Sequence, residues 1–289
     1  MTEISAVAVK DLREKTGAGM MECKKALTDA AGDFEKAIDI LRQKGLASAA
    51  KKASRNASQG LITVASSDSA SVMSEVNCET DFVARTDDFK ELVADINAHL
   101  LSAVAVTVDD SKIAELVKKK IAKLGENIVF RRFERFDMSG KTGAVGSYIH
   151  MDKIGVMVEA SCEQPGHSSS EVTKVLLKDI AMHVAAASPS FLSREKVPQN
   201  VLDREKDIYR GQVTNKPAQI VEKIVEGKIE KFYSDVCLVD QIFVKDPEGK
   251  KKIHTVVAEA AKALGGNISL VQFVRFQLGE GLPAEPKSC

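Results

Sequence analysis

Apolar residues recur at helical spacing through the first part of the chain. Val7, Val9 and Leu12 begin one such stretch, which stops at Thr16-Gly17-Ala18-Gly19. Met20, Met21, Cys23, Ala26 and Leu27 suit a second helix ending near Ala31-Gly32. Phe34, Ala37, Ile38 and Leu41 suit a third, capped by Asp33 and with Gly45 near its end. This succession predicts a compact three-helix bundle over residues 1–54. Lys51 to Gly60 is polar and small and reads as a linker. The pattern then turns β-type from Ser71 to Cys78 and ends abruptly in Glu79-Thr80-Asp81. Thr80 suits an N-cap and Asp81 a first helical turn, because both meet the free N–H groups of a helix start. Phe82 then falls at a helix tip, followed by Val83, between Asp81 and Arg85. A large ring there either folds into its own core or projects as an anchor for another protein.

The β-type run belongs to an internal repeat. Val72-Met73-Ser74-Glu75-Val76-Asn77-Cys78-Glu79 matches Val156-Met157-Val158-Glu159-Ala160-Ser161-Cys162-Glu163 at an offset of 84 (159 − 75). Asp95-Ile96 with His99 matches Asp179-Ile180 with His183 at the same offset (183 − 99). Leu124-Gly125-Glu126-Asn127-Ile128 matches Leu264-Gly265-Gly266-Asn267-Ile268 at 140 instead (264 − 124), so about 56 extra residues (140 − 84) lie between His183 and Leu264. Each copy reads as strand, helix, helix and a last strand, Ile128 to Phe136 in one and Ile268 to Leu278 in the other. Asp88-x-x-Glu91 and Ser168-x-x-Glu171 are candidate capping boxes for the matched helices. The expected fold is α+β, with two related sandwich subdomains of sheet against helices at 55–140 and 141–289. The surplus fits a helical hairpin at about 188–228: Val201, Leu202, Ile208 and Tyr209 on one helix, the turn Asn215-Lys216-Pro217, and Ile220, Val221, Ile224, Val225, Ile229 and Phe232 on the other. Such a polar hairpin is expected to project and to carry a partner or a second copy of the chain.

Composition narrows the function. With 289 residues there is room for two or three domains. Lysine plus arginine equals aspartate plus glutamate, 41 each, which argues against a dedicated nucleic-acid binder. Local basic clusters exist, among them Arg131, Arg132 and Arg135, so an RNA-binding scaffold is the rival expectation. No apolar run approaches membrane-spanning length, and Met1-Thr2-Glu3-Ile4-Ser5 does not open a leader, so a cytoplasmic protein without membrane contact is expected. Five cysteines without a C-x-x-C pair read as reduced thiols.

Catalytic patterns fail one by one. Gly140-Lys141-Thr142 resembles the end of a phosphate-binding loop, but the required upstream glycine is Arg135. Thr16-Gly17-Ala18-Gly19 follows a helix rather than a strand and has too few glycines for a dinucleotide site. Cys78 with His99 could be drawn as a thiol–imidazole pair, although His99 and His183 occupy equivalent, more structural-looking repeat positions. His150 and His167 read as loop residues without metal-ligand spacing. Neither an enzyme nor a cofactor is expected.

Thr16 to Leu27, Glu75 to Arg85, Lys123 to Ile128, Gly146-Ser147-Tyr148-Ile149-His150 and Phe273-Val274-Arg275-Phe276 closely resemble the bacterial elongation factor Ts family, the guanine-nucleotide exchange factors of elongation factor Tu. The likeness covers nearly the whole chain. It implies an N-terminal module like a ubiquitin-associated domain, a duplicated core and a projecting coiled-coil hairpin. Relatives often continue into a further C-terminal helix, for which Pro283 to Cys289 offers no counterpart. The resemblance also implies that Thr80, Asp81, Phe82 and Val83 enter the partner's GTPase domain near switch II and its Mg²⁺ site. Lys24, Leu124, Gly125 and His150 match positions facing the same domain, and Val244 matches one facing a farther domain. The expected partner is elongation factor Tu, with a homodimer or a 2:2 complex through the hairpin and no direct nucleic-acid contact.

Overall fold

Ser5 starts the first helix: its hydroxyl accepts a hydrogen bond from the Ala8 N–H at 3.1 Å, and α1 (Ala6–Thr16) runs until Gly17 turns left-handed. With α2 (Met20–Asp29) and α3 (Phe34–Lys52) it encloses a small core of Val9, Leu12, Cys23, Ala26, Leu27, Ala37 and Leu41. Gly45 does not end α3, contrary to the sequence pattern. A methyl group there would lie 3.3 Å from the Ala122 Cβ, so the missing side chain serves close helix packing within a continuing helix. The computed structural model describes residues 4–103, 105–213 and 216–282. Asn215 of the expected turn, Cys289 and the Pro283–Cys289 tail lie outside the described residues.

The chain divides into two compact units: one of Met1–Ser66, Val72–Arg135 and Gln277–Cys289, the other of Ser67–Ser71 and Phe136–Phe276. After the helical module the first unit continues with β1 (Gln59–Ser66), β2 (Ala70–Cys78), α4 (Asp81–Ala84), α5 (Asp87–Ser102), α6 (Ser111–Leu124) and β3 (Ile128–Asp137). The strands form a sheet of order β1-β2-β3, with β2 buried along its length. Phe89, Leu92, Val93, Ile96 and Leu100 of α5 and Ile113, Val117 and Ile121 of α6 pack onto Val72, Val76, Ile128 and Phe130. Their helical and alternating spacings are the apolar faces that the pattern implied.

The second unit repeats this plan. It contains β4 (Gly143–His150), β5 (Ile154–Cys162), α7 (Pro165–Ser168), α8 (Glu171–Ala187), α9 (Gln199–Gln212), α10 (Ala218–Val236), α11 (Ile253–Leu264) and β6 (Ile268–Gln277). The sheet order is β4-β5-β6, with β4 and β5 antiparallel and Gly143 opposite Ser161. The α+β expectation is met, with two differences. Each copy begins with an additional strand, β1 or β4, and each holds a short helix, α4 or α7, before its long one. The long helices are capped by Thr86 and Ser170, whose hydroxyls accept from Phe89 and Thr173 N–H groups, rather than by Asp88 or Ser168. Asp88 is instead engaged by Lys120 and Lys123 at 3.0 and 2.6 Å. The surplus residues supply α9 and α10, which are tied by Arg210 to Glu222 at 2.9 Å and by Lys228 stacked over Tyr209.

Both copies bury a carboxylate at the same strand position. Glu75 is wholly buried and accepts from Arg131 Nη1 at 2.7 Å, Arg132 Nε at 2.6 Å and the Gly279 N–H at 2.8 Å. Glu159 accepts from Lys141 at 3.0 Å and Gln272 at 2.6 Å. Burial alone would raise the Glu75 pKa, but the Gly279 N–H and the two guanidinium groups together hold it below the ordinary carboxylate value. Its contribution is therefore fully present above pH 4.5 and is lost as pH falls through the lower folded value. Urea titrations between pH 7 and pH 3 should show that loss, and Glu75→Gln should remove this acid dependence. At neutral pH the substitution should cost about 3–5 kcal/mol, because two guanidinium groups lose their buried counter-charge.

Candidate protein-docking site

Thr80, two residues beyond β2, caps α4, its hydroxyl accepting from the Val83 N–H at 3.3 Å. Within this single turn Val83 and Ala84 face inward against the first unit's core, and Asp81 pairs with Arg85 at 2.8 Å. Phe82 is left on the outer side, 79% exposed. Of the two fates open to a ring at a helix tip, projection is the one realised. The neighbouring turn holds this helix from behind. Gly125 ends α6 in the left-handed conformation, φ 79°, which costs a glycine little, and its N–H returns to Ile121 O. Leu124 is partly buried against the same core. Glu126 then accepts from the Thr80 N–H at 3.0 Å and the Thr80 hydroxyl at 2.6 Å, while Glu79 accepts from the Asn127 N–H at 2.6 Å. Thr80, Asp81, Phe82, Val83, Leu124 and Gly125 thus form one neighbourhood. Lys24 is exposed on α2, and no hydrogen bond or ion pair among the described residues joins it to α4.

His150 and Val244 belong to the second unit. His150 is the exposed last residue of β4 rather than a loop residue, and its Nδ1 lies 3.1 Å from the Tyr148 hydroxyl. The next two residues, Met151 and Asp152, turn the chain with positive φ. Val244 is 50% exposed, so core packing does not account for it. Its backbone N–H donates to His183 Nδ1 at 3.2 Å, and His183 Nε2 lies 2.9 Å from Gln241 Oε1. That arrangement requires a neutral ring with its proton on Nε2, in keeping with a pKa lowered by burial. Lys245 adds an ion pair to Asp179 at 2.7 Å. His183 and Glu126 were not singled out as site residues from sequence. The one available signal was that residue 126 differs between the two Leu-Gly-x-Asn-Ile copies.

Reactive chemistry finds little footing. The Cys78 thiol is buried and donates to Thr80 O, and burial pushes its pKa up to about 12. His99 is held by Asp110 at 3.1 Å. Lys141, at the loop that resembles a phosphate site, holds Glu159 instead. Arg131 and Arg132 hold Glu75, and Arg135 donates to the carbonyls of Leu100 and Leu101, so these guanidinium groups are engaged internally. Among the described residues no three His, Cys, Asp or Glu side chains gather as a metal site, and no helix is long and apolar enough to cross a membrane.

Fold and surface together define a class, a duplicated α+β scaffold following a helical module, with exposed apolar side chains such as Phe82 and Val244. The family model described as Elongation factor TS matches residues 79–280. The chain is 45% identical to elongation factor Ts of Trichlorobacter lovleyi over 96% of its own length and 94% of the relative's. It is 48% identical to that of Nitratiruptor sp., with the same coverage, and 47% identical to that of Nautilia profundicola over 98% and 95% of the two chains. The chain belongs to the elongation factor Ts family.

A thiol this buried should resist alkylation. Cys78 should stay unmodified by iodoacetamide in native protein at pH 8 and react once urea unfolds the chain, as peptide mass spectrometry would report. Rapid native labelling at Cys78 would restore it as a candidate nucleophile.

Proposed function

We propose that this chain is the guanine-nucleotide exchange factor of elongation factor Tu, accelerating GDP release so that GTP can reload during protein synthesis. Family membership supports the assignment, and the exposed Phe82 on its capped turn is the observation that carries the mechanism. No bond is made or broken. A factor that binds the nucleotide-free GTPase more tightly than the loaded one weakens nucleotide binding by the same ratio. Phe82 supplies a rigid aromatic anchor of the kind that dominates interface energetics. Its insertion near switch II separates elements that hold the Mg²⁺ ligands, and without Mg²⁺ the diphosphate's charge is poorly neutralised and GDP leaves. Thr80, Asp81 and Val83 frame the anchor, and Lys24, Leu124, Gly125 and His150 extend the contact with the GTPase domain. Val244 reaches a farther domain of the partner. The reaction takes place in the cytoplasm.

Phe82→Ala should fold as the parent does, since the ring is exposed, yet lose on the order of 30-fold or more in GDP release, the scale of a hot-spot truncation above about 2 kcal/mol. Stopped-flow release of a fluorescent GDP from elongation factor Tu measures this, and a parental rate removes Phe82 from the mechanism.

Association through the α9–α10 hairpin, as a homodimer or a 2:2 complex, belongs to the same reading, because Ile208 and Ile220 are exposed on it. Light scattering of this protein alone and mixed with elongation factor Tu should give a mass above one chain or above a 1:1 pair. An Ile208→Asp, Ile220→Asp variant should return it to those values. Parental protein already at those masses would leave the hairpin without this role.

A further inference from the structure

Resting on the exchange reading, we infer that Glu126 is the positioning residue that aims Phe82. The two copies of the repeat furnish the comparison. Both follow their central strand directly with a glutamate that accepts the N–H of the asparagine before the last strand: Glu79 from Asn127 at 2.6 Å, Glu163 from Asn267 at 2.8 Å. Both place a four-residue helix next, α4 or α7, and both cap the following long helix with a hydroxyl, Thr86 or Ser170. The shared parts therefore build the scaffold.

Among the positions at which the copies differ, three bear on this turn. Phe82 has Gly166 as its counterpart, Thr80 has Gln164, and Glu126 has Gly266. In the first copy both Glu126 oxygens are bonded to Thr80, one to its N–H and one to its hydroxyl, across 46 residues of chain. The same hydroxyl oxygen then accepts from the Val83 N–H, so the fork at Glu126 fixes the start of the turn that carries Phe82. In the second copy Gln164 makes no side-chain cap bond. A Cβ at Gly266 would fall 2.5 Å from the His167 ring, so any side chain there would require that ring to move aside. The clamp is present where the projecting ring is present, and where the ring is absent a glycine and the His167 ring stand in its place.

A turn of four residues has no independent stability, since nucleation alone is unfavourable. Without the fork, Phe82 would sample several directions, and each would dilute the productive one. Glu126 makes no contact of its own with the partner and acts through Phe82.

The test is a mutant cycle read by fluorescent-GDP release from elongation factor Tu, with urea stability measured in parallel. Glu126→Ala should slow release on the order of tenfold. Glu126→Gln should keep most of the rate, because its carbonyl still accepts the Thr80 N–H and its amide can donate to the Thr80 oxygen. In a Phe82→Ala background, Glu126→Ala should cost no further rate while still lowering stability. Equal additional loss in that background, or a parental rate in Glu126→Ala beside an impaired Phe82→Ala, overturns the assignment. A parental rate in Phe82→Ala itself overturns the exchange reading and this inference together. If Glu126→Ala does not fold, Glu126→Asp, which keeps the charge but shortens the reach, takes its place in the same cycle.

Discussion

The connection on which the first unit's exposed surface depends is a two-way exchange between the end of β2 and the start of β3. Glu79 accepts the Asn127 N–H, and Glu126 accepts the Thr80 N–H and hydroxyl. Each strand end thus satisfies groups that the other would leave open, and carboxylate acceptors make such bonds shorter and stronger than neutral ones. Asn127 adds a bond from its side chain to Arg55 O at 2.8 Å, tying in the segment that leads from the helical module. A helix of one turn between these points does not need intrinsic helix strength. It needs a fixed first residue, an inner face, and an outer face free of other duties. Glu126, the Val83–Ala84 pair and Phe82 meet those needs in turn.

Duplication explains why so much of the chain is scaffold. Glu75 and Glu159 are both buried carboxylates, and in each copy the matched residue of the last strand reaches them, Arg132 at 2.6 Å in one and Gln272 at 2.6 Å in the other. Their remaining partners differ, Arg131 and the Gly279 N–H against Lys141, yet the buried acceptor is satisfied in both. His99 and His183 diverge further. One pairs with the cap of α6, while the other is sealed inside and directs the backbone that presents Val244. The same repeat position thus supports a helix cap in one copy and an exposed residue in the other.

Much of this was legible in the sequence because period and repetition are local or additive signals. The helices of the N-terminal module, the β2 run, the duplicated core and the inserted hairpin all follow from apolar spacing and two offsets. The added strands β1 and β4 were harder to see. They contain glycines and small polar residues that weaken a strand pattern, and they are stabilised by pairing with β2 and β5. The caps depart from the sequence pattern for a related reason: Asp88 and Thr86 are both good caps, and the cap is Thr86 while Lys120 and Lys123, more than thirty residues on, engage Asp88. Glu126 and His183 act across 46 and 61 residues of chain, so no window of sequence contains both ends of their bonds. Phe82 could be placed at a helix tip from sequence, but its direction depends on Val83 and Ala84 filling the core first.

Presentation on a fixed turn matters for the energetics of exchange as much as the ring itself. An anchor that must first be ordered gives up part of its binding energy to conformational entropy, on the order of 0.5–1.5 kcal/mol for one side chain and more for a loose backbone. Phe82 is already exposed and its turn already held, so under the proposed mechanism more of its desolvation energy remains to favour the nucleotide-free partner over the loaded one. That difference is what sets the acceleration, since affinity shared equally by both states shifts nothing. The charge balance of the chain, 41 basic against 41 acidic residues, gives it little net charge with which to steer association over long range. In the proposed mechanism discrimination then arises in contact, at short-range shape and apolar burial, and the demand falls on side chains assigned, like Glu126, to fix geometry without contributing surface.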